Sequence, residues 1–116
     1  MQNAIYISLG LMHQLPFGAT ITDALLNILR DAEARIPREH SDFMVCLGWQ
    51  TSFPNGKPHE HWGVSAFSRG YMRAQDMFTV DGVHFAVAPH DQSRAAGCIL
   101  DYSDGAGVIQ VDTRKT

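Results

Sequence analysis

The dipeptide Asp81-Gly82, which lies between two runs of β-forming residues, is the feature that most constrains the fold of this chain. Asp-Gly is a preferred pair for the two-residue type I′ turn, in which both residues adopt a positive φ. Such a turn fixes which residues face each other across the hairpin, and the predicted pairs are Val80 with Val83 and Phe78 with Phe85. These four apolar side chains then share one face. The turn and the apolar pattern therefore predict the same register.

A second turn signal lies at Asp104-Gly105, within the segment 98–112. A two-residue turn here again places apolar residues on one face of a hairpin. The predicted pairs are Leu100 with Ile109 and Cys98 with Val111. Gly107 lies close to the turn, so a looser loop remains open as an alternative.

One amphipathic helix is predicted between Thr20 and Pro37. Thr20 is a candidate N-cap, and Asp23 three residues later would complete an acidic capping box. Pro37 ends the helix because a proline disfavours helical geometry in the residue before it. Apolar residues recur at helical spacing between these limits, at Leu25, Leu26, Ile28, Leu29, Ala32 and Ile36.

Residues 43–49 form an apolar run, Phe-Met-Val-Cys-Leu-Gly-Trp, that is typical of a strand buried on both faces. The polar segment 50–63 follows it and contains several turn residues. We predict that this segment is a long loop, a feature that is often functional in a compact domain. A first strand is predicted over residues 3–9 and a short strand over residues 64–67.

Together these elements predict an α+β domain with about six short strands, in a mostly antiparallel or mixed sheet that packs against one main helix. A length of 116 residues favours one domain, which we assign to residues 1–116. Residues 1–19 would form an N-terminal extension or an edge strand, and residues 20–112 the core. A domain of this size buries roughly two-thirds of its unfolded surface and needs no disulfide or metal to fold.

The charge balance argues against a nucleic-acid partner. Nine Lys and Arg residues stand against twelve Asp and Glu residues, which gives a formal net charge of −3. A phosphate backbone requires a patch of unopposed positive charge. No run approaches the ~20 apolar residues of a membrane-spanning helix. A signal peptide begins with a positively charged region, but no Lys or Arg precedes Arg30 in this sequence. We therefore expect a cytoplasmic protein that binds neither nucleic acid nor membrane.

Several short segments of the second half occur in a characteristic order. Residues 78–83 read Phe-Thr-Val-Asp-Gly-Val, residues 87–89 read Val-Ala-Pro, and Gly97 precedes Leu-Asp-Tyr at residues 100–102. This order resembles the HesB-like domain, which is the fold of the A-type iron–sulfur carriers. The helix start and the strand of residues 43–47 stand in the matching order upstream. The resemblance covers roughly residues 19–112 and implies a small α+β fold.

The cluster ligands of that family have no counterpart here. Cluster-carrying members use three cysteines, one in a Cys-Ser-Gly turn after the first strand and two in a Cys-Gly-Cys tail. This chain has only Cys46 and Cys98, and neither occupies a ligand position of the family. Because iron–sulfur clusters are usually held by four thiolates, the resemblance implies a member that has lost cluster chemistry and has no cofactor. We expect two buried thiols that act as small hydrophobes; a cluster shared between subunits is the alternative.

His59 and His61, in the segment Pro-His-Glu-His-Trp, are the candidate metal ligands of the chain. Two histidines at positions i and i+2 of an extended segment point to the same side. Neutral imidazoles suit zinc, nickel, copper or iron. A complete site needs at least one further ligand, for which the candidates are Glu60, His84, His90 and Asp91. Two surface histidines in a polar loop explain the same pattern without a metal.

Aromatic residues cluster between positions 49 and 71. Packing beneath a long loop explains such a cluster, and so does a loop that closes over an apolar pocket or a partner. Tyr and Trp are enriched at interfaces because each combines a large apolar body with a polar group. The residues that we select for ligand or partner binding are Trp49, Phe53, Trp62 and Tyr71.

No motif for nucleophilic catalysis is present, since no serine stands in a G-x-S-x-G setting. Asp91 is a candidate cap for a short helix over residues 92–96. We therefore expect a binding domain for a protein or a small molecule rather than an enzyme. The alternative is a mononuclear metal-binding protein, with or without enzymatic activity, that uses His59 and His61. The fold class is compatible with a homodimer, because a small sheet can hide an edge strand or an apolar face.

Overall fold

Two sheets share one hydrophobic core in the computed structural model, which describes residues 12–112. The strands and α-helices of this part of the chain are β1 (Met12–Gln14), β2 (Thr20–Thr22), α1 (Asp23–Ala34), β3 (Phe43–Ser52), β4 (His59–Ser68), β5 (Met77–Val80), β6 (Val83–Ala86), α2 (Pro89–Ala95), β7 (Cys98–Ser103) and β8 (Gly107–Asp112). The predicted α+β class is confirmed, although eight strands in two sheets replace the expected six in one. The strand predicted over residues 3–9 lies outside the described residues.

Both sheets are mixed. The first has the strand order β1-β2-β7-β8 and the second has the order β4-β3-β6-β5. Strand β2 runs parallel to β7 and β3 runs parallel to β6, while the other neighbouring strands are antiparallel. Helix α1 contacts strands of both sheets through an apolar stripe of Leu25, Leu26 and Leu29. Neither helix in this part of the chain has the length and hydrophobicity needed to cross a membrane.

The hairpin predicted at Asp81-Gly82 is confirmed residue by residue. Val80 pairs with Val83 and Phe78 pairs with Phe85. Asp81 has a φ of 49° and Gly82 a φ of 79°, the left-handed values that a type I′ turn requires. Val83 and Phe85 are buried, and the facing residues on β5 pack against the core. Turn chemistry and apolar pattern thus select one register.

The predicted start of the helix is wrong by two residues, because Thr22 rather than Thr20 is its N-cap. Residues 20–22 pair with β1 and β7 as strand β2, so the helix begins only after that strand ends. The Thr22 hydroxyl accepts a hydrogen bond from the Leu25 backbone N–H at 3.3 Å and donates one to Asp101 Oδ1 on β7 at 2.5 Å. Thr22 and Asp101 are both buried. Their hydrogen bond therefore joins the start of α1 to the first sheet.

The long loop predicted over residues 50–63 is also wrong. Strands β3 and β4 form one antiparallel ladder that runs from Phe43 opposite Ser68 to Ser52 opposite His59. Only residues 53–58 connect them, with a single 3-10 turn at Pro54–Gly56. We call the β3–β4 pair the ribbon, and its outer part, residues 51–60, is exposed on both sides. It carries no apolar alternation because its pairing depends on backbone hydrogen bonds rather than on burial.

The hairpin predicted over residues 98–112 forms with a register that is shifted by one residue. Ser103 pairs with Gly107, so the loop contains the three residues 104–106 instead of two. Leu100 consequently faces Gln110, and Ile109 lies on the opposite face of the sheet. The shift turns the Gln110 side chain inward, where its Nε2 donates a hydrogen bond to Cys98 Sγ at 3.1 Å.

Helix α2 begins earlier than predicted. Pro89 occupies its first turn and Ala88 is its N-cap, so Asp91 does not cap the helix. Proline favours this position because its missing N–H would have no partner within the helix. The Asp91 side chain is consequently free to point elsewhere.

We predict that Thr22→Val lowers the free energy of unfolding by about 2–4 kcal/mol, because it removes both a helix cap and a hydrogen bond to a buried carboxylate. Thr22→Ser keeps the hydroxyl and should lose only about 1 kcal/mol, for the missing methyl group. Urea denaturation followed by circular dichroism measures both values. Equal losses in the two variants would show that the hydroxyl does not stabilise this junction.

Candidate functional site

A cavity of about 650 Å³ lies against strands β3 and β4, and we call it the β3 cavity. Side chains alternate along a strand, so the residues next to the buried Val45 and Leu47 of β3 face the other side. The cavity residues of β3 on this side are Cys46, Gly48 and Gln50, and those of β4 are Ser65 and Phe67. The second sheet thus has one face on the core and the other on the cavity.

A polar network centred on Asp76 holds the walls of the β3 cavity in place. Asp76 Oδ1 accepts a hydrogen bond from Gln92 Nε2 at 2.8 Å, and Oδ2 accepts one from Arg73 Nε at 3.3 Å. The Asp76 carbonyl accepts a further bond from the Val87 N–H at 3.0 Å, and Gln92 Nε2 also donates to the Val87 carbonyl at 2.8 Å. These bonds join the segment before β5 to the segment between β6 and α2. Because Asp76 is buried with its bonds formed, the wall is fixed before any ligand arrives.

The lining of the β3 cavity is mainly apolar. The larger apolar residues that contribute to it are Trp49, Phe67, Tyr71, Met72 and Val87. Two of these residues, Phe67 and Tyr71, remain 54% and 87% exposed. Ligand cavities of proteins typically measure about 300–1,000 Å³ and combine apolar walls with a few polar groups. The β3 cavity has these properties.

Two glycines bring polar groups close to the backbone of the ribbon. Gly48 of β3 lies directly opposite Gly63 of β4. A Cβ atom at Gly48 would lie 3.0 Å from Asp91 Oδ2, and a Cβ atom at Gly63 would lie 2.6 Å from the side-chain carboxamide of Gln50. Because neither glycine has a side chain, the carboxylate of Asp91 and the amide of Gln50 both rest against the strands.

Cys46 faces the β3 cavity and is only half-buried, which corrects the prediction of two buried thiols; Cys98 is buried as predicted. Both thiols are free. Cys46 Sγ lies 3.8 Å from Met72 Sδ. Burial raises the pKa of the Cys46 thiol to about 11, although a hydrogen bond with the Phe67 backbone opposes the shift. The thiol is therefore protonated at neutral pH and is a poor nucleophile.

The aromatic residues selected from the sequence do not form one group. Trp49 and Tyr71 line the β3 cavity. The Arg94 guanidinium lies over the Trp49 ring, 4.3 Å from its centroid. The Trp49 and Trp62 rings pack edge to face, with their centroids 5.9 Å apart. Trp62 is buried in the core, with its Nε1–H donating to Gln110 Oε1 at 2.6 Å, whereas Phe53 is 64% exposed at the end of the ribbon.

His59 and His61 point to the same side of β4, as their spacing predicts, and their rings stack with centroids 5.3 Å apart. Both nitrogens of His61 already have partners. Nδ1 lies 2.8 Å from the Trp62 carbonyl and so donates to it, which leaves Nε2 to accept from the Ser52 hydroxyl at 3.1 Å. The pair lines a separate hollow of about 430 Å³ beside Tyr102, not the β3 cavity.

The additional metal ligands considered in the sequence do not join this pair. His84 bonds to Glu33 at 2.8 Å on another part of the surface, and Asp91 belongs to the β3 cavity. Within residues 12–112 there is no group of three or more His, Cys, Asp or Glu side chains that could hold a metal ion.

Sequence reasoning missed most residues of the β3 cavity. One signal was available, because an isolated glycine inside an apolar strand, such as Gly48, marks a close approach by another group. Asp91 offered no comparable signal, since an acidic residue near the start of a helix is usually explained by capping.

No model of a known protein family matches the chain, and a comparison with curated proteins finds no match either. The function is therefore inferred from the geometry of the site.

We predict that Cys46 reacts with iodoacetamide about 100-fold more slowly at neutral pH than an unperturbed thiol, because a pKa raised from 9.0 to about 11 lowers the thiolate fraction by that factor. The rate should increase about tenfold for each pH unit from 7 to 10. Mass spectrometry of a Cys98→Ser variant measures the reaction at Cys46 alone. Complete labelling within minutes at pH 7 would contradict the burial of this thiol.

Proposed function

We propose that this protein is a non-catalytic binding domain that takes up a small and largely apolar organic molecule in the β3 cavity. The observation that carries the proposal is the combination of a volume of about 650 Å³ with a mainly apolar lining and few polar groups. The Asp76 network supports it further, since a wall that is already fixed loses little conformational entropy when a ligand binds.

The chemistry of the cavity residues favours binding over catalysis. Nucleophilic catalysis needs a nucleophile within hydrogen-bond reach of a base. The Cys46 thiol contacts the Met44 carbonyl and the Met72 sulfur instead, and its pKa is raised. The Asp76 carboxylate is engaged by Arg73 and Gln92. Neither group is poised to react with a bound molecule.

The likeness to the HesB-like domain, in our proposal, is one of fold without cluster chemistry. The resembling segments form consecutive elements here, namely the β5–β6 hairpin, the connection to α2, and β7. Cys46 and Cys98 lie apart in different sheets. The cytoplasmic location and the homodimeric state remain predictions from the sequence that accompany this proposal.

The neutral dye N-phenyl-1-naphthylamine tests the proposal, because its fluorescence increases in an apolar environment. We predict saturable binding of one dye molecule per chain. The Kd should be on the order of 100 µM or tighter, because a ligand of this size typically gains ~0.3 kcal/mol of binding free energy per non-hydrogen atom. A fluorescence titration of the wild-type chain measures it.

Two variants with the same new side chain locate the bound dye. Ser65→Trp fills the floor of the β3 cavity and should weaken dye binding at least tenfold, whereas Thr79→Trp adds the same group at an exposed position of β5 outside the cavity and should leave binding unchanged. Circular dichroism checks that both variants fold. The proposal fails if the wild type shows no saturable binding, or if Ser65→Trp binds the dye as tightly as Thr79→Trp does.

A further inference from the structure

The charge of the β3 cavity points to the class of its ligand. We propose that the cavity binds an organic cation, an ammonium group attached to an apolar body, with the Asp91 carboxylate as its counter-ion. This inference rests on the proposed function, because it names the ligand class of the same cavity.

One negative charge in the β3 cavity is not compensated. The charged side chains among its described residues are Arg73, Asp76 and Asp91. Arg73 and Asp76 form an ion pair at 3.3 Å, so their charges offset each other. Within residues 12–112 the Asp91 carboxylate makes neither an ion pair nor a hydrogen bond. The cavity therefore presents a net negative charge to its contents.

The position of Asp91 makes this lack of a partner significant. Its side chain is half-buried, and Oδ2 rests against the β3 backbone at Gly48, 3.0 Å from where a Cβ atom would lie. Water hydrates the accessible part of this carboxylate, because the side chain is only half-buried. A cationic ligand in the cavity would replace that water with a charge-assisted hydrogen bond.

An internal partner is within reach but is used elsewhere. Arg94 lies three residues after Asp91 on α2, a spacing at which opposite charges commonly pair on a helix. Its guanidinium is placed instead over the Trp49 ring, 4.3 Å from the centroid. Asp91 thus lines the cavity without an ion pair, while Arg94 lies on an aromatic face.

These features define a preference among ligands. An ammonium group can donate charge-assisted hydrogen bonds to Asp91 while its apolar body contacts Met72, Phe67 and Val87. A neutral molecule of the same shape makes the apolar contacts but lacks the positive charge that the carboxylate attracts. An anion of that shape is repelled by the carboxylate. The cavity should therefore bind the cation most tightly, the neutral molecule less tightly and the anion most weakly.

Three indoles of similar size test this order by displacing N-phenyl-1-naphthylamine: tryptamine, which is a cation, tryptophol, which is neutral, and indole-3-acetate, which is an anion. Tryptamine should bind about tenfold more tightly than tryptophol, as expected for one charge-assisted hydrogen bond in a half-buried setting. Indole-3-acetate should bind more weakly than tryptophol.

The Asp91→Asn variant assigns the preference to one carboxylate. It should bring the affinities for tryptamine and tryptophol to within about twofold of each other, because an amide lacks the negative charge that favours the ammonium group. Circular dichroism checks that the variant folds. Asp104→Asn, which removes a carboxylate from an exposed turn outside the cavity, is the matched control and should keep the full preference.

The outcomes separate this inference from the proposed function. If the dye binds in the cavity but the three indoles bind equally, or if none of them displaces it, the cavity is a binding site and the cation assignment is wrong. A preference for indole-3-acetate, or a tryptamine preference that persists in Asp91→Asn, also overturns the assignment. If the dye itself does not bind, the proposed function fails and the inference fails with it.

Discussion

Strand β3 lies between two different environments, and the arrangement of the second sheet depends on how its residues meet both. Val45 and Leu47 point into the core that the sheet shares with α1, where they are fully buried. On the other side, the small residues Cys46 and Gly48 line the β3 cavity. Because alternate residues of a strand face opposite sides, the same ten-residue strand can complete a close-packed core and form the floor of a cavity.

Two carboxylates on the cavity wall show how structural and functional polar groups differ here. Asp76 is buried and satisfied by Arg73 and Gln92, so it holds two chain segments together. Asp91 lies on the same wall without such bonds and rests on the space left by Gly48. Folding favours hydrogen-bonded groups such as Asp76, since satisfied networks stabilise a unique structure. An unpaired group such as Asp91 is expected where a protein keeps a side chain available for a ligand.

Local sequence determined some elements and left others open. The β5–β6 hairpin could be predicted in full because Asp81-Gly82 and the apolar pattern specify the same pairs. At Asp104 the turn signal was compatible with two loop lengths, and the choice of the longer loop moved Gln110 inward. The outer ribbon could not be recognised, since exposed polar strands have no periodicity of burial. The cavity itself depends on the parallel pairing of β3 with β6, which brings Asp91 over Gly48 from a distant part of the chain.

The most direct measurement of where a ligand binds is methyl NMR of the methionines during titration with N-phenyl-1-naphthylamine. Met72 lies in the wall of the β3 cavity, whereas Met12 lies on β1 in the other sheet, and a Met72→Leu variant assigns the signal. An aromatic ligand in the cavity should shift the Met72 methyl resonance saturably through the field of its rings and leave Met12 unchanged. Equal shifts at both methyl groups, or a saturable shift confined to Met12, would contradict binding in the β3 cavity.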